Sequence, residues 1–329
     1  MWYSQPKMEE IIKKVINYHL TDGILEGVLE RDGSIYVMVE VQSKIDEELS
    51  NTIEKELIDQ LKVPIKLCFT QTKVERKRSA KVKKKIDGVK KVIMICSGKG
   101  GVGKSTISSY LAYYLGLSGY KVGLLDSDIY GPSIHRIFGI DDEIQIRDGK
   151  FIPHERFGVK LMSMGFIVKS DDALVWRGPM VTKTLNQMLL QTDWQHKKFL
   201  VKSPLDYLII DTPPGTGDVH LSLAENYEID GAIVVSTPQS LAIANAHRSV
   251  DMLQKLGIKL LGIVENMAYI TQPDGSKHYI FSEGNIEKYV EEKGLKVLAS
   301  IPIIPQVSNG EIIDSQIVKN LFRDLIMSL

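Results

Sequence analysis

Cysteine is nearly missing from this chain. Only Cys68 and Cys96 occur among 329 residues, and no CxxC spacing exists, so a disulfide framework or a four-cysteine metal site within one chain is excluded. Equally missing is any apolar run near the ~18 residues that cross a bilayer. The leading MWYSQPKMEEIIKK puts glutamates and lysines where a signal peptide needs unbroken apolar residues, so no secretory address is read and the cytoplasm is the expected location. Charge of one sign is also lacking: 41 basic side chains meet 41 acidic ones, which argues against a general nucleic-acid surface. What is present, 43% hydrophobic and 25% charged residues, suits an ordinary globular protein of two domains.

The chain changes character twice. Met8, Ile11, Ile12, Val15 and Ile16 recur at helical spacing, predicting a helix that stops before Thr21-Asp22-Gly23. Strands at Ile24 to Leu29 and Ile35 to Val41 flank the turn-rich Arg31-Asp32-Gly33-Ser34, followed by a helix around Asp46 to Leu61 and a strand at Ile65 to Thr70. Residues 1–72 therefore read as a small α+β domain. Residues 73–90 read as an exposed basic linker: from Lys73 to Lys91, ten Lys/Arg face only Glu75 and Asp87. From 91 to 329, seven buried strands alternate with helices: VIMIC, VGLLD, VKLMSM, DYLIID, GAIVVS, LLGIVEN and KVLASIP. That pattern predicts an α/β fold with a mostly parallel sheet.

The chemistry concentrates after the first of those strands. Gly98-Lys99-Gly100-Gly101-Val102-Gly103-Lys104-Ser105 satisfies G-x-x-x-x-G-K-[ST] between a strand and a helix, the context a phosphate-binding P-loop requires. Its glycines let backbone N–H groups curl around phosphate oxygens, and Lys104 is placed to reach the β- and γ-phosphates. Ser105 is expected on Mg²⁺ and Thr106 near the α-phosphate. Asp211 ends the apolar Tyr207–Ile210 run and opens Thr212-Pro213-Pro214-Gly215-Thr216-Gly217-Asp218, where a Mg²⁺-positioning carboxylate belongs. Asp126 and Asp128 follow the next strand, at the carboxyl edge of the sheet. Asp126 is expected to support the Mg²⁺ shell and Asp128 to orient the attacking water.

SGKGGVGKST, DSDIYGPS, WRGPM, DYLIIDTPPGTGD, STPQ and ENMAY, in that order, resemble the deviant Walker A ATPases, and within them the Mrp (ApbC) iron–sulfur cluster carriers. The likeness runs from Lys91 to Leu329, and the first 70 residues are similar to the small domain that often precedes such ATPases. It implies a P-loop NTPase that binds and hydrolyses ATP with Mg²⁺ as a homodimer, and that serves iron–sulfur assembly proteins or apoprotein clients. It also gives the spare lysine a purpose. In this class the early lysine, here Lys99, crosses the dimer interface to the partner's nucleotide, and Pro238 and Asn266 are implied as adenine contacts.

One part of the pattern departs. After the segment matching ENMAY, such carriers usually hold a CPxC pair, one per subunit, which together bind a [4Fe–4S] cluster. Here the text runs ENMAYITQPDGSKHYIFSEGN, and Gln272-Pro273-Asp274-Gly275 reads as a turn with a solvated His278 nearby. Amide and carboxylate oxygens replace thiolates poorly. Cys96 and Cys68, each in a strand, are both expected to be buried. In DWQHKKFLVKSPLDYLII the segment before the Asp211 strand is lengthened, and the extra length reads as a local surface loop. Two other classes compete with the carrier: a MinD/ParA-like spatial organiser at a membrane or DNA surface, and a non-hydrolysing adaptor locked by ATP. The C-terminal QIVKNLFRDLIMSL has few cations, so a helix packed on the ATPase core is expected rather than a membrane contact.

Overall fold

The computed structural model describes all residues except 1–4, 21–22, 32, 42–44, 72–82, 168–177, 199–200, 282–284, 305–315 and 328. Thr21-Asp22, Asp32, the first half of the basic stretch and the start of WRGPM lie outside the described residues. The chain divides into two units, 1–80 and 81–329.

In the smaller unit, α1 (Gln5–His19), β1 (Ile24–Arg31), β2 (Ser34–Val41), α2 (Glu47–Leu61) and β3 (Ile65–Gln71) follow in order. β1 pairs antiparallel with β2, which pairs parallel with β3. Asp46 starts α2 by accepting from Leu49 N at 2.8 Å, supplying one orphan helix donor with a partner. Ile12, Ile16, Val37, Val39, Ile53 and Leu57 close the core. Burial in β3 alternates, so Ile65, Leu67 and Phe69 meet the core while Lys66 and Cys68 face outward. Cys68 is exposed, which corrects the expectation of a buried thiol: the period-2 alternation of a strand with one covered face decides it.

The larger unit runs β4 (Val89–Cys96), α3 (Lys104–Leu117), β5 (Val122–Asp126), α4 (Ile134–Ile137), β6 (Gln145–Arg147), β7 (Lys150–Ile152), β8 (His154–Arg156), β9 (Val159–Ser163) and α5 (Gly178–Leu190). It continues with β10 (His196–Lys198), β11 (Val201–Ser203), β12 (Leu205–Asp211), α6 (Asp218–Asn226), β13 (Gly231–Ser236), α7 (Ser240–Lys255) and β14 (Leu260–Asn266). Last come β15 (Ile270–Thr271), β16 (Lys277–His278), α8 (Asn285–Lys293), β17 (Val297–Ile301) and α9 (Gln316–Met327). Eight strands form one sheet in the order β17-β14-β13-β4-β12-β5-β9-β8. All pairs are parallel except β8 with β9.

Helices cover both faces, which is why these strands read as unbroken apolar runs. Alternation in β4 deals its side chains to two cores: Val92, Met94 and Cys96 to one, Ile93 and Ile95 to the other. Phe322 of α9 stacks on Tyr110 and Tyr114 of α3, with Val318 and Leu325 also buried. Two expectations change here. The basic segment is no linker from Lys84 onward, because Lys84 N donates to Asn226 O, Ile86 is buried in the core and β4 begins at Val89. The DWQHKK segment is not a surface loop either: Trp194 is 1% exposed with its indole N–H on Leu189 O at 2.9 Å, and an antiparallel hairpin, β10–β11, follows it.

Candidate nucleotide site

The P-loop joins β4 to α3 through a backbone that favours glycine, as Gly98 and Gly103 illustrate. A Cβ at Gly98 would lie 2.1 Å from the Asn245 carbonyl oxygen of α7, and Gly103 sits at φ +82. Lys104 then opens α3, whose first N–H groups face the loop. Two parallel neighbours bring the carboxylates alongside, since Asp126 is level with Asp211 across β5 and β12.

Asp211 is fully buried and gathers three donors. Lys104 Nζ reaches Oδ1 at 2.7 Å, Ser105 Oγ reaches Oδ2 at 2.6 Å and Ser108 Oγ reaches Oδ1 at 2.6 Å. A buried carboxylate is tolerable only with such partners. Asp128 stands nearer the opening, with Oδ1 accepting from Gly131 N at 3.1 Å. It lines a cavity of about 390 Å³ together with Lys99, Gly100, Gly101, Gly103, Lys104, Ser105, Thr106, Arg136 and Pro214.

Asp126 has a different task from the one expected. Its carboxylate accepts from Asp128 N, Ser133 N, Ile134 N and Ser163 Oγ at 2.9 to 3.2 Å and is wholly enclosed. It therefore holds the loop that carries Asp128 and caps the turn at α4. Burial, with the Asp211 carboxylate beside it, pushes its pKa up to about 7.

A second, apolar cavity of about 170 Å³ adjoins the first, lined by Ile107, Tyr110, Asn266, Met267, Pro302 and Phe322 among others. Gly103 and Thr106 line both cavities, so the two spaces lie side by side along the start of α3. Asn266 Nδ2 donates to Val102 O at 2.8 Å, which fixes the amide and leaves its Oδ1 to accept. The structure brings Asn266 to this apolar cavity but not Pro238, which is absent from the lining and buried at the end of β13.

Lys99 is half-buried, and its Nζ donates to Gln239 Oε1 at 3.0 Å, just before α7. Its carbonyl accepts from Ser97 Oγ at 3.1 Å.

A family model described as the ParA-group NUBPL iron-transfer P-loop NTPase matches residues 88–321. The chain belongs to this NUBPL iron-transfer family. An iron-sulfur cluster carrier protein from Rickettsia felis is 39% identical over 312 residues, 92% of each chain. One from Aquifex aeolicus is 41% identical over 282 residues, 82% of this chain and 75% of that one. A nucleotide-binding protein from Archaeoglobus fulgidus, solved in complex with ADP, superposes with a TM-score of 0.58 at 34% identity, covering 68% of this chain and 86% of that one.

Within this member of the NUBPL iron-transfer family, four side chains around the site have contacts that the sequence did not assign. Ser108 lies one turn beyond the motif, and Arg136 and Gln239 arrive from elements the motif does not include. His220, fully buried in α6, places Nε2 2.9 Å from Thr212 Oγ1. Burial, then the Lys104 ammonium, push its pKa down to about 4. No sequence signal marks a histidine whose partner is a hydroxyl eight residues earlier.

Proposed function

We propose that the protein is a homodimeric ATPase of iron–sulfur cluster delivery, hydrolysing ATP to ADP and phosphate, and that the thiolates which hold the cluster come from the protein it serves. The observation that carries the nucleotide half is the pair of adjoining cavities. Lys104, Ser105 and Asp211 converge within hydrogen-bond distance at the phosphate end, and Gly103 and Thr106 also line the apolar space beside Asn266.

The donor set suits ATP with Mg²⁺. Ser105 and Asp211 offer hard oxygens to the metal, which when bound would neutralise charge on the β- and γ-phosphates. The P-loop N–H groups of residues 98–104 grip the phosphates, Lys104 turns from Asp211 toward them, and Thr106 takes the α-phosphate side. Asp128, exposed to the same cavity, orients the attacking water. Asn266 Oδ1 favours a base that presents an amino group, hence adenine. Lys99 leaves Gln239 to meet the partner's nucleotide across the dimer, a single neutral hydrogen bond exchanged for a charged one.

The cluster half rests on family and on donor chemistry. Gln272 and Gly275, in the stretch where the family resemblance implies a cysteine pair, form a tight turn in the β15–β16 hairpin, with Gly275 N on Gln272 O at 2.9 Å. Cys96 is fully buried, and burial pushes its thiol up to about 12. Among the described residues no group of three His, Cys, Asp or Glu is placed to hold a metal. These residues do not fit a cluster, so we derive no cluster step on this chain. A membrane-organising role is disfavoured, because the apolar side of α9 is spent on α3.

Two measurements test the reading. Steady-state phosphate release by the full chain is expected, with an at least ~100-fold loss in Asp128→Asn, the scale of a lost general base; unchanged turnover in that variant removes Asp128 from its role. Anaerobic reconstitution with iron and sulfide is expected to leave the purified dimer essentially cluster-free; a stoichiometric cluster overturns the borrowed-thiolate reading.

A further inference from the structure

His220 is enclosed completely, yet it is poorly served as a packing residue. Its Nδ1 is buried with no hydrogen-bond partner among the described residues, a deficit costing about 1–3 kcal/mol that a leucine would avoid. The other nitrogen explains its presence. Thr212 has one hydroxyl proton, given to Ile95 O at 2.8 Å. Its oxygen can only accept from the imidazole at 2.9 Å, so Nε2 carries the proton and Nδ1 is bare.

The bond spans a loop with business on both sides. Thr212 N also donates to Ile95 O, Gly215 N donates to Ser97 O at 2.8 Å, and His220 N donates to Gly217 O. Pro214 lines the phosphate cavity, and Pro213, Pro214 and Gly217 line a neighbouring cavity of about 470 Å³ with Asp128. Gly215, at φ +91, and Gly217 would meet no neighbour with a Cβ, so side-chain packing does not hold the loop at those two points. Its position depends on ties to the end of β4, from which the P-loop starts, and the imidazole completes them.

We infer that His220 is a positioning residue for the hydrolytic step: through the Thr212 hydroxyl it locks the loop 212–217 onto β4, so that the loop and the P-loop meet the terminal phosphate as one rigid surface. This rests on the hydrolysis reading above. The loop borders the same cavities as Asp128, the residue given the attacking water, so ADP binding is expected to be largely spared when the lock is lost, whereas turnover is not.

The test uses the full chain, phosphate release and ADP affinity, for His220→Leu, His220→Gln, Thr212→Val and the Leu/Val double variant. Loss of the donor is expected to lower kcat about tenfold with ADP affinity held within about threefold, the signature of misplacement rather than lost binding. His220→Gln keeps an N–H donor at similar reach and is expected to recover kcat to within about threefold of wild type. Thr212→Val, which also removes the hydroxyl's bond to Ile95 O, is expected to lose at least as much as His220→Leu, and the double variant to be no worse than Thr212→Val alone, because the two substitutions share the imidazole–hydroxyl contact. Unchanged kcat in His220→Leu, no rescue by glutamine, or additive losses would overturn the inference. If His220→Leu fails to fold, Thr212→Val and His220→Gln decide: wild-type turnover in the former or deep loss in the latter overturns it. A wild type that releases no phosphate overturns the hydrolysis reading first, and this inference with it.

Discussion

Gly98 is the narrowest point of the nucleotide site, because the P-loop backbone there rests on the backbone of α7. A Cβ would meet Asn245 O at 2.1 Å and Ala246 N at 2.8 Å, and neither is the end of a flexible side chain. Gly98→Ala is expected to destabilise the protein by about 2–3 kcal/mol and to weaken nucleotide binding, read by urea unfolding and ADP titration. Protons supply a second prediction at this scale. The folded protein resists charging His220, so stability falls as pH drops from 6.5 toward 4; it also resists ionising Asp126, so stability rises as pH drops from 7 toward 3.9. The two slopes oppose each other over much of the acidic range. His220→Gln, left with Asp126, is expected to gain stability between pH 7 and 5 while the wild type stays nearly level, in urea midpoints measured without nucleotide. Lys104, Ser105 and Asp211 were legible in the sequence because a P-loop and a strand-ending aspartate are local patterns. Asp126 was half legible: its place at the sheet edge followed from the strand, but its donors come from residues 128, 133, 134 and 163. No spacing announces such a set.

Among the elements, the β15–β16 hairpin is where the chain departs from the pattern its family resemblance implies. Asp274 Oδ1 accepts from Ser276 N and Oγ, and Gly275 adopts φ +83, so polar turn chemistry occupies the stretch where the family resemblance implies a cysteine pair. Gln272→Cys with Gly275→Cys is expected to create cluster binding in anaerobic reconstitution, with about two iron-binding pairs per dimer brought together. The left-handed residue costs about 1 kcal/mol of local strain. Failure of that variant to take up iron, with its fold and dimer intact, would place the carrier surface elsewhere. The hairpin's turn was legible from Pro273-Asp274-Gly275. The β10–β11 hairpin was not, since one buried tryptophan, Trp194, converts a polar-looking stretch into part of the core, and its partner, Leu189 O, belongs to another element.

At the scale of the whole molecule, the parallel sheet could be read from seven apolar runs, because strands covered on both faces leave that mark. The eighth strand could not: β8, His154–Arg156, is three polar-looking residues whose pairing with β9 is set by the edge of the sheet. The boundary near Lys84 was hidden because one buried isoleucine among lysines, Ile86, carries too weak a periodic signal. Dimerisation belongs to this scale as well. ATP with Mg²⁺ is expected to shift light scattering from one chain toward two. Lys99→Ala is expected to keep ADP affinity within about threefold while losing at least ~100-fold in turnover, as when an arginine finger is withheld; full turnover in the variant would make Lys99 a bystander. The contact between Lys104 and Asp211, 2.7 Å long and nearly closed to solvent, has a consequence for metal entry. With an ammonium beside it, that carboxylate repels a free divalent ion, so metal is expected at this site together with nucleotide and not alone.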